Sequence, residues 1–318
     1  MPNPSPAAFK RSSAPARTLR VTVLCGGPSA EREVSLESGR AVADALRRRG
    51  HEVFVADIGP AELSALEHPA DVVFPALHGP FGEDGTVQRL LAARGLPYVG
   101  SDARASALAM DKVATKAAVA AAGIDTPACE VWDAAALATR AEPGVPLPVI
   151  VKPVDQGSSV GTTIVRETAG FLPAVRLAVG QFGRALVEQF ITGDEVTVGI
   201  VGGEPLPPIC VRPKRQFYDY QAKYQDDATE YLFEAGYPAR VFAQAQALSR
   251  RVFEVLGCRH LARVDWMVDE THRLWFLEIN TLPGFTSHSL VPKAAARTGV
   301  AFDELVERLV RLALEDSG

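Results

Sequence analysis

The sequence predicts a mixed α/β protein of three units, the first built on a parallel sheet. Three observations carry that expectation. The first hundred residues alternate short apolar strands with helical stretches. At 318 residues the chain exceeds one ordinary domain, and its 47% hydrophobic content is ample for real cores. Near the C-terminal end two strand-like runs, His260 to Val268 and Leu274 to Ile279, flank the polar turn Asp269-Glu270-Thr271-His272-Arg273, the pattern of a hairpin.

Residues 1–18 are rich in Pro, Ala, Ser and Arg, lack the apolar stretch of a signal peptide, and read as a disordered tail. The first unit, 19–100, opens with the β-rich run Leu19 to Leu24. Gly26-Gly27-Pro28-Ser29 turns the chain into a helix from about Ser35 to Arg49, closed by Gly50. Val53 to Ala56 and Val72 to Phe74 read as strands, Thr86 to Arg94 as a helix stopped by Gly95, and Tyr98-Val99 as a return to the sheet. Ligands of such sheets sit beyond the carboxyl ends of the strands, where Glu31, His78, Glu83 and Asp84 fall.

The second unit, 101–187, begins with an alanine-rich helix from Ser106 to Ala122 that carries Lys112 and Lys116. After the proline-rich connector Pro143 to Pro148, the strands Val149 to Pro153 and Gly161 to Arg166 flank a Gly157-Ser158-Ser159-Val160-Gly161 loop, and Leu186 to Phe190 closes the unit. The third, 188–318, holds the strands Glu195 to Val201 and Pro208 to Arg212, the hairpin, and a final helix from Phe302 to Leu314.

Bulk properties exclude several classes. A formal net charge of −5 offers no global basic field for nucleic acid or a membrane surface, so any phosphate site must be local. No apolar run reaches the length of a membrane span. The four cysteines show no paired spacing, which argues against a zinc site or a disulfide framework and for a reducing, cytoplasmic setting.

Side chains two apart on a strand share a face, so Arg263 and Asp265 point one way, as do Glu278 and Asn280. If the hairpin matches those faces, one wall carries two carboxylates, an amide oxygen and a guanidinium. Oxygen ligands of that kind suit Mg²⁺ shared with substrate phosphates, and an arginine beside them suits an anion formed during reaction. An ordinary solvated hairpin would show the same face; the run Asn280 to Ser289 decides against it. The Gly157 loop could cradle phosphates through its N–H groups, although it lacks the Walker ending and leads into a strand. Lys152, on the strand feeding it, can reach phosphate oxygens as a point charge. Gln216 to Tyr224 mixes aromatics with charges as a water-excluding lid would.

Taken together, Gly26 to Ser35, Ala76 to Gly85, the Gly157 loop, Phe217 to Tyr224, Arg263-Val264-Asp265 and Leu277 to Leu290 resemble the D-alanine–D-alanine ligases, ATP-grasp enzymes of bacterial cell-wall synthesis. The resemblance runs from about Leu19 onward, in the family's order. It implies a three-domain ATP-grasp architecture, a cytoplasmic homodimer, and ATP-dependent joining of two D-alanines through an acyl phosphate, with two Mg²⁺ (or Mn²⁺) ions per site. By resemblance Asp265 and Glu278 hold one ion, and Glu278 with Asn280 the other. Lys112, Lys152 and Lys223 match phosphate-contacting lysines, and Glu188 and Glu195 the adenine and ribose positions. Glu31, hydrogen-bonded to Ser158 and Tyr224, resembles the residue that takes the first D-alanine's ammonium, with His78 near that substrate's carboxylate. Arg263 and the Gly284 N–H look like oxyanion donors, and Ser289 and Leu290 would hold the second carboxylate. Gln189, where some relatives have lysine, and Glu234-Ala235, where proline-alanine is common, depart from the pattern. A ligase making D-alanyl-D-lactate or D-alanyl-D-serine is the nearest enzymatic alternative, with Tyr224 as the discriminating residue. An ATP-binding regulatory protein without turnover is the non-enzymatic one, and the intact Asp265, Glu278, Asn280 and Arg263 argue against it.

Overall fold

A computed structural model describes residues 17–157, 160–212 and 229–316. Strands β1 (Arg20–Cys25), β2 (Glu52–Asp57) and β3 (Val72–Pro75) form a parallel sheet in the order β2-β1-β3. The apolar run Val21 to Cys25 is buried almost throughout, as a central parallel strand covered on both faces must be. Helix α1 (Arg32–Arg48) follows β1 and starts one turn earlier than the sequence suggests, with Glu31 at its N-cap. Helix α2 (Thr86–Ala93) leads to Tyr98, which returns to the sheet through a single parallel bridge to Val73.

The expected helix from Ser106 to Ala122 is two helices, α3 (Ala103–Met110) and α4 (Lys112–Ala121). Asp111 breaks it: its backbone is extended and its carboxylate caps Val113 N–H and Ala114 N–H, which favours a new helix start over continuation. Strand β4 (Cys129–Trp132), helix α5 (Ala134–Thr139), strands β5 (Val149–Pro153) and β6 (Thr163–Val165), helix α6 (Thr168–Phe182) and strand β7 (Ala185–Gln189) come next. They build a four-stranded antiparallel sheet, β4-β7-β5-β6, with Trp132 packed edge-on against Phe171 of α6 at 5.1 Å.

The third sheet is antiparallel, in the order β11-β10-β8-β12-β13, from β8 (Gly193–Val201), β10 (Ile209–Arg212), β11 (Glu230–Leu232), β12 (Leu261–Asp269) and β13 (Leu274–Asn280), with β9 (Glu204–Pro205) paired to β8. Strand β12 begins one residue later than expected, because His260 takes a left-handed φ of 60°. Val196, Val198 and Ile200 of β8 and Ala262, Val264, Trp266 and Val268 of β12 share one core with α7 (Ala239–Val255). Their odd-numbered neighbours Glu195, Asp265 and Met267 face a cleft between this sheet and the four-stranded one. Helices α8 (Leu290–Arg297) and α9 (Phe302–Glu315) return to the first sheet, where α9 packs on α1.

That return is fastened by Glu307, which is buried on α9 and accepts hydrogen bonds from His51 Nε2 (2.9 Å) and from Arg311 (2.6 Å). Burial opposes ionisation of Glu307, but these donors outweigh it and hold its carboxyl below the ordinary range. Its contribution is therefore present above the unfolded carboxyl's pKa and is lost as pH falls through the lower folded value. Glu307→Ala is expected to lower unfolding free energy in urea by about 2 kcal/mol at neutral pH, through the buried His51 N–H left unpaired, with the difference shrinking in acid. The exposed pair Arg48–Asp303, 2.7 Å apart, serves as a control, and Arg48→Ala should cost well under about 1 kcal/mol.

Candidate active site

The cleft between the two antiparallel sheets has a volume of about 660 Å³, a size suited to a nucleotide. Its walls include Ile150 and Lys152 of β5, Glu188 and Gln189 of β7, Glu195 of β8, Met267 of β12 and Leu277 of β13. Glu188 is buried, with Lys152 Nζ 2.6 Å and Lys116 Nζ 2.9 Å from its carboxylate oxygens. Burial opposes its charge, but the two ammonium groups prevail and hold its carboxyl below the usual range. Burial also works against Lys152, yet Glu188 and Glu278 raise its pKa above the ordinary lysine value. Burial wins at Lys116, whose pKa is lowered despite Glu188.

The expected hairpin face is present. In the β12–β13 register Asp265 lies opposite Glu278 and Arg263 opposite Asn280. Between Asp265/Glu278 and Trp266/Phe276 the register slips by one residue, leaving Leu277 without a partner. Without that bulge, Glu278 would share a face with the buried Phe276. Asp265 is 2% exposed and accepts from Thr197 Oγ1 (2.6 Å) and from Arg263 Nε and Nη2 (3.0 and 2.8 Å). Lys112 Nζ, which donates to the Gln156 carbonyl at 2.6 Å, is 3.8 Å from Glu278 Oε2. The donor set is thus two carboxylates and one amide oxygen. Among the described residues no three His, Cys, Asp or Glu side chains gather as a metal cage. A hard cation that completes its shell with phosphate oxygens and water fits such a partial set.

A second, smaller pocket adjoins the cleft across Lys112, Gln156 and Glu278, and is also lined by Glu31, Glu83, Arg263 and Asn280. Glu31 is 8% exposed and lies against two loops: a Cβ on Gly157 would come within 3.0 Å of its Oε2, and one on Gly79 within 3.5 Å. Glu83 accepts Gly79 N–H at 2.6 Å, and its carboxyl is pushed up to about 8, first by burial and then by the charge of Glu31. His78 is buried, with Nδ1 at 3.0 Å from the Leu282 carbonyl and, among the described residues, no hydrogen-bond partner on Nε2. Gly284 lies close to both: a Cβ there would sit 2.8 Å from Ser289 Oγ, which would have to shift, and 3.9 Å from His78 Nε2. Ser289 Oγ accepts Thr286 N–H at 2.9 Å, and Leu290 opens α8 immediately after it.

The structure therefore brings Glu31, His78, Lys112, Arg263, Glu278, Asn280 and the Gly284–Leu290 segment to one region, with Lys152, Glu188, Glu195 and Asp265 along the adjoining cleft. Ser158, Lys223 and Tyr224 lie outside the described residues. Sequence reasoning missed Thr197, which signals itself only through its register opposite Asp265. It also gave Lys116 no role, although Lys112 and Lys116 are four apart on one helix and so share a face.

Three sheets, with a nucleotide-sized cleft held between two antiparallel ones and an acid-lined pocket at its end, define an ATP-grasp protein. Comparisons with known proteins narrow this. Models of the D-ala D-ala ligase N-terminus and C-terminus match residues 56–101 and 127–311. A D-alanine–D-alanine ligase of Syntrophotalea carbinolica is 48% identical over 92% of this chain and 95% of its own. The crystal structure of a Bacillus anthracis D-alanine–D-alanine ligase complexed with ATP superposes with a TM-score of 0.80 at 28% identity, covering 94% of this chain and 99% of that one. The VanG D-Ala:D-Ser ligase from Enterococcus faecalis does so with 0.81 at 27% identity, covering 93% and 100%. The chain belongs to the D-alanine–D-alanine ligase family.

Glu83 yields a pH prediction. Its folded pKa of about 8 exceeds the ordinary 4.5, so the folded state holds a proton that the unfolded chain releases. Stability then falls as pH rises between those values. Glu83→Gln is expected to flatten that decline, read as the difference in thermal midpoint between variant and parent from pH 5 to pH 8. Parallel curves would mean Glu83 is ionised in the fold.

Proposed function

We propose that this protein joins two D-alanines into D-alanyl-D-alanine at the expense of ATP, through a D-alanyl phosphate, as a step of peptidoglycan precursor synthesis. The observation that carries the reading is the single face shared by Arg263, Asp265, Glu278 and Asn280, placed where the nucleotide cleft meets the small acidic pocket. Family membership supports a cytoplasmic homodimer divided at 19–100, 101–187 and 188–318. No helix among the described residues is long and apolar enough to cross a membrane.

In the first step the carboxylate of one D-alanine attacks the γ-phosphorus of ATP, forming an O–P bond and expelling ADP. Glu188 and Glu195 take the adenine and ribose, and Lys112, Lys152 and Lys223 the phosphates. Asp265, Glu278 and Asn280 would hold two Mg²⁺ ions, which neutralise the charge on the transferring phosphoryl group. Glu31, with Ser158 and Tyr224, fixes the first ammonium. In the second step the amine of the other D-alanine, its carboxylate at Ser289 and the N-terminus of α8, attacks the acyl phosphate. Arg263 and the Gly284 N–H stabilise the oxyanion before phosphate leaves. The required protein chemistry is positioning and electrostatics, and no protein nucleophile is needed.

The direct test supplies ATP with D-alanine alone, and then D-alanine paired with D-serine or D-lactate, measuring phosphate release and products. D-Alanyl-D-alanine should dominate at neutral pH. Because the VanG neighbour is named for D-serine, a dominant D-alanyl-D-serine product would transfer this chain to that specificity. A second expectation concerns Glu278, assigned to both ions. Glu278→Gln should reduce phosphate release about 10²-fold or more, through loss of a metal-bridging charge, while circular dichroism and melting stay near those of the parent. Retained turnover would remove the two-metal assignment.

A further inference from the structure

We infer that Lys116 is a positioning residue that ties Glu188, in the wall of the nucleotide cleft, to the bulge that aims Glu278. The inference rests on the nucleotide and metal roles proposed above and goes beyond them by naming what holds the two together. Lys116 lies on α4 and is 2% exposed. Its Nζ is 2.6 Å from Thr126 Oγ1, 2.9 Å from Glu188 Oε2 and 3.5 Å from the Phe276 carbonyl oxygen. Those atoms belong to three parts of the chain: the segment before β4, strand β7 of the four-stranded sheet, and strand β13 of the larger one. Neither Lys116 nor Thr126 is among the described residues lining the cleft or the small pocket. A change at either therefore acts through its neighbours.

The bulge end of the tie is built from backbone. Strand β13 is an edge strand, so its side away from β12 must find other partners. Phe276 N–H donates to the Asp125 carbonyl at 2.8 Å, and the Phe276 carbonyl accepts Thr126 Oγ1 at 3.0 Å. A hydroxyl that donates to a carbonyl keeps its lone pairs for another donor, and Lys116 Nζ fills that role. The result is a relay from ammonium to hydroxyl to carbonyl, ending on the residue just before the unpaired Leu277. One turn earlier on the same helix, Lys112 Nζ stands 3.8 Å from Glu278 Oε2, just past the bulge. Residues four apart share a helix face, so α4 holds β13 on both sides of Leu277.

At the other end, Lys152 donates a hydrogen bond to Glu188 Oε1. The Lys116 contact with Oε2 is close but not aligned as a hydrogen bond, so Lys116 serves Oε2 as a charge. Without it, a buried carboxylate would keep a single cation in a cleft that must admit a triphosphate. Burial works against the ammonium form of Lys116, Glu188 favours it and Lys152 opposes it. The relay to Phe276 holds in either form, because an amine also donates.

Calorimetric titration of ATP, first with a chelator and then with Mg²⁺, reads the two ends separately. The metal end is read as the gain in affinity that Mg²⁺ brings. Lys116→Met cuts both ends, and should weaken metal-free ATP binding about tenfold and reduce the Mg²⁺ gain about fivefold or more. Thr126→Val keeps the side-chain shape and the Lys116–Glu188 pair but cuts the relay. It should leave metal-free ATP binding within about twofold of the parent, yet reduce the Mg²⁺ gain about threefold or more. A lysine with a purely structural role would lower urea midpoints and leave the gain unchanged, which overturns the inference. So does a Lys116→Met protein that loses only metal-free affinity, since Lys116 would then be a counter-charge for Glu188 alone. Should Lys116→Met not fold, Thr126→Val decides, and an unchanged gain in that variant overturns the inference whatever Lys116→Met does. Parent protein that binds ATP without any gain from Mg²⁺ removes the metal reading, and parent protein without affinity for ATP removes the nucleotide reading; the inference falls with either.

Discussion

One unpaired residue, Leu277, sets the geometry on which the proposed chemistry depends. Strand side chains alternate strictly, and Leu274 and Phe276 are buried in the core beneath α7. By that alternation Glu278 would point into the same core and bring an unpaired charge with it. The bulge adds one residue, reverses the alternation, and delivers Glu278 and Asn280 to the cleft while Ile279 takes over in the core. Both strands of the hairpin then present oxygen donors on one wall.

That arrangement places two carboxylates directly across from each other, which a sheet ordinarily disfavours. The surrounding residues offset the repulsion one by one. Arg263 lies along Asp265 in a forked contact, Thr197 donates to the same carboxylate from the neighbouring strand, and Lys112 approaches Glu278 from the start of α4. Lys112 can do so because Asp111 ends one helix and caps the next, so that the following lysine emerges at the cleft. The helix break that the sequence reading missed is therefore part of the site's construction.

Much of this was legible from residue order. The parallel first sheet, the hairpin and the final helix each carry a strong local signal: alternation of elements, two apolar runs around a polar turn, and a 3.6-residue period. The hidden features are those settled by tertiary context. Asp111 looks like any helix aspartate until its carboxylate is seen capping. Helix α6 carries Pro173 within a mostly apolar run, which obscures its period, and α7 alternates alanine with polar residues that suit a helix surface or a loop equally. The bulge is invisible because no residue near Leu277 is a Gly or Pro that would announce it. For the site, oxygen donors and lysines could be named by type, but that Glu188 joins Lys116 to Lys152 follows only from the pairing of β5 with β7 and the packing of α4.

These pairings also explain why a divalent ion belongs in the proposed mechanism. The described lining of the cleft carries both signs of charge, and its principal cations already have anionic neighbours. Lys152 is bound to Glu188, Arg212 to Asp194, Arg263 to Asp265, and Lys112 lies near Glu278. Such a cleft is close to electrically balanced, in keeping with a chain whose formal charge is −5 and which has no global positive field. A triphosphate entering it would find donors in the right places but little net charge to counter its own. Ions arriving with the nucleotide and settling between its phosphates and Asp265, Glu278 and Asn280 would supply that charge only when substrate is present. They would also compete with Arg263 for Asp265, freeing the guanidinium for the oxyanion that forms one step later.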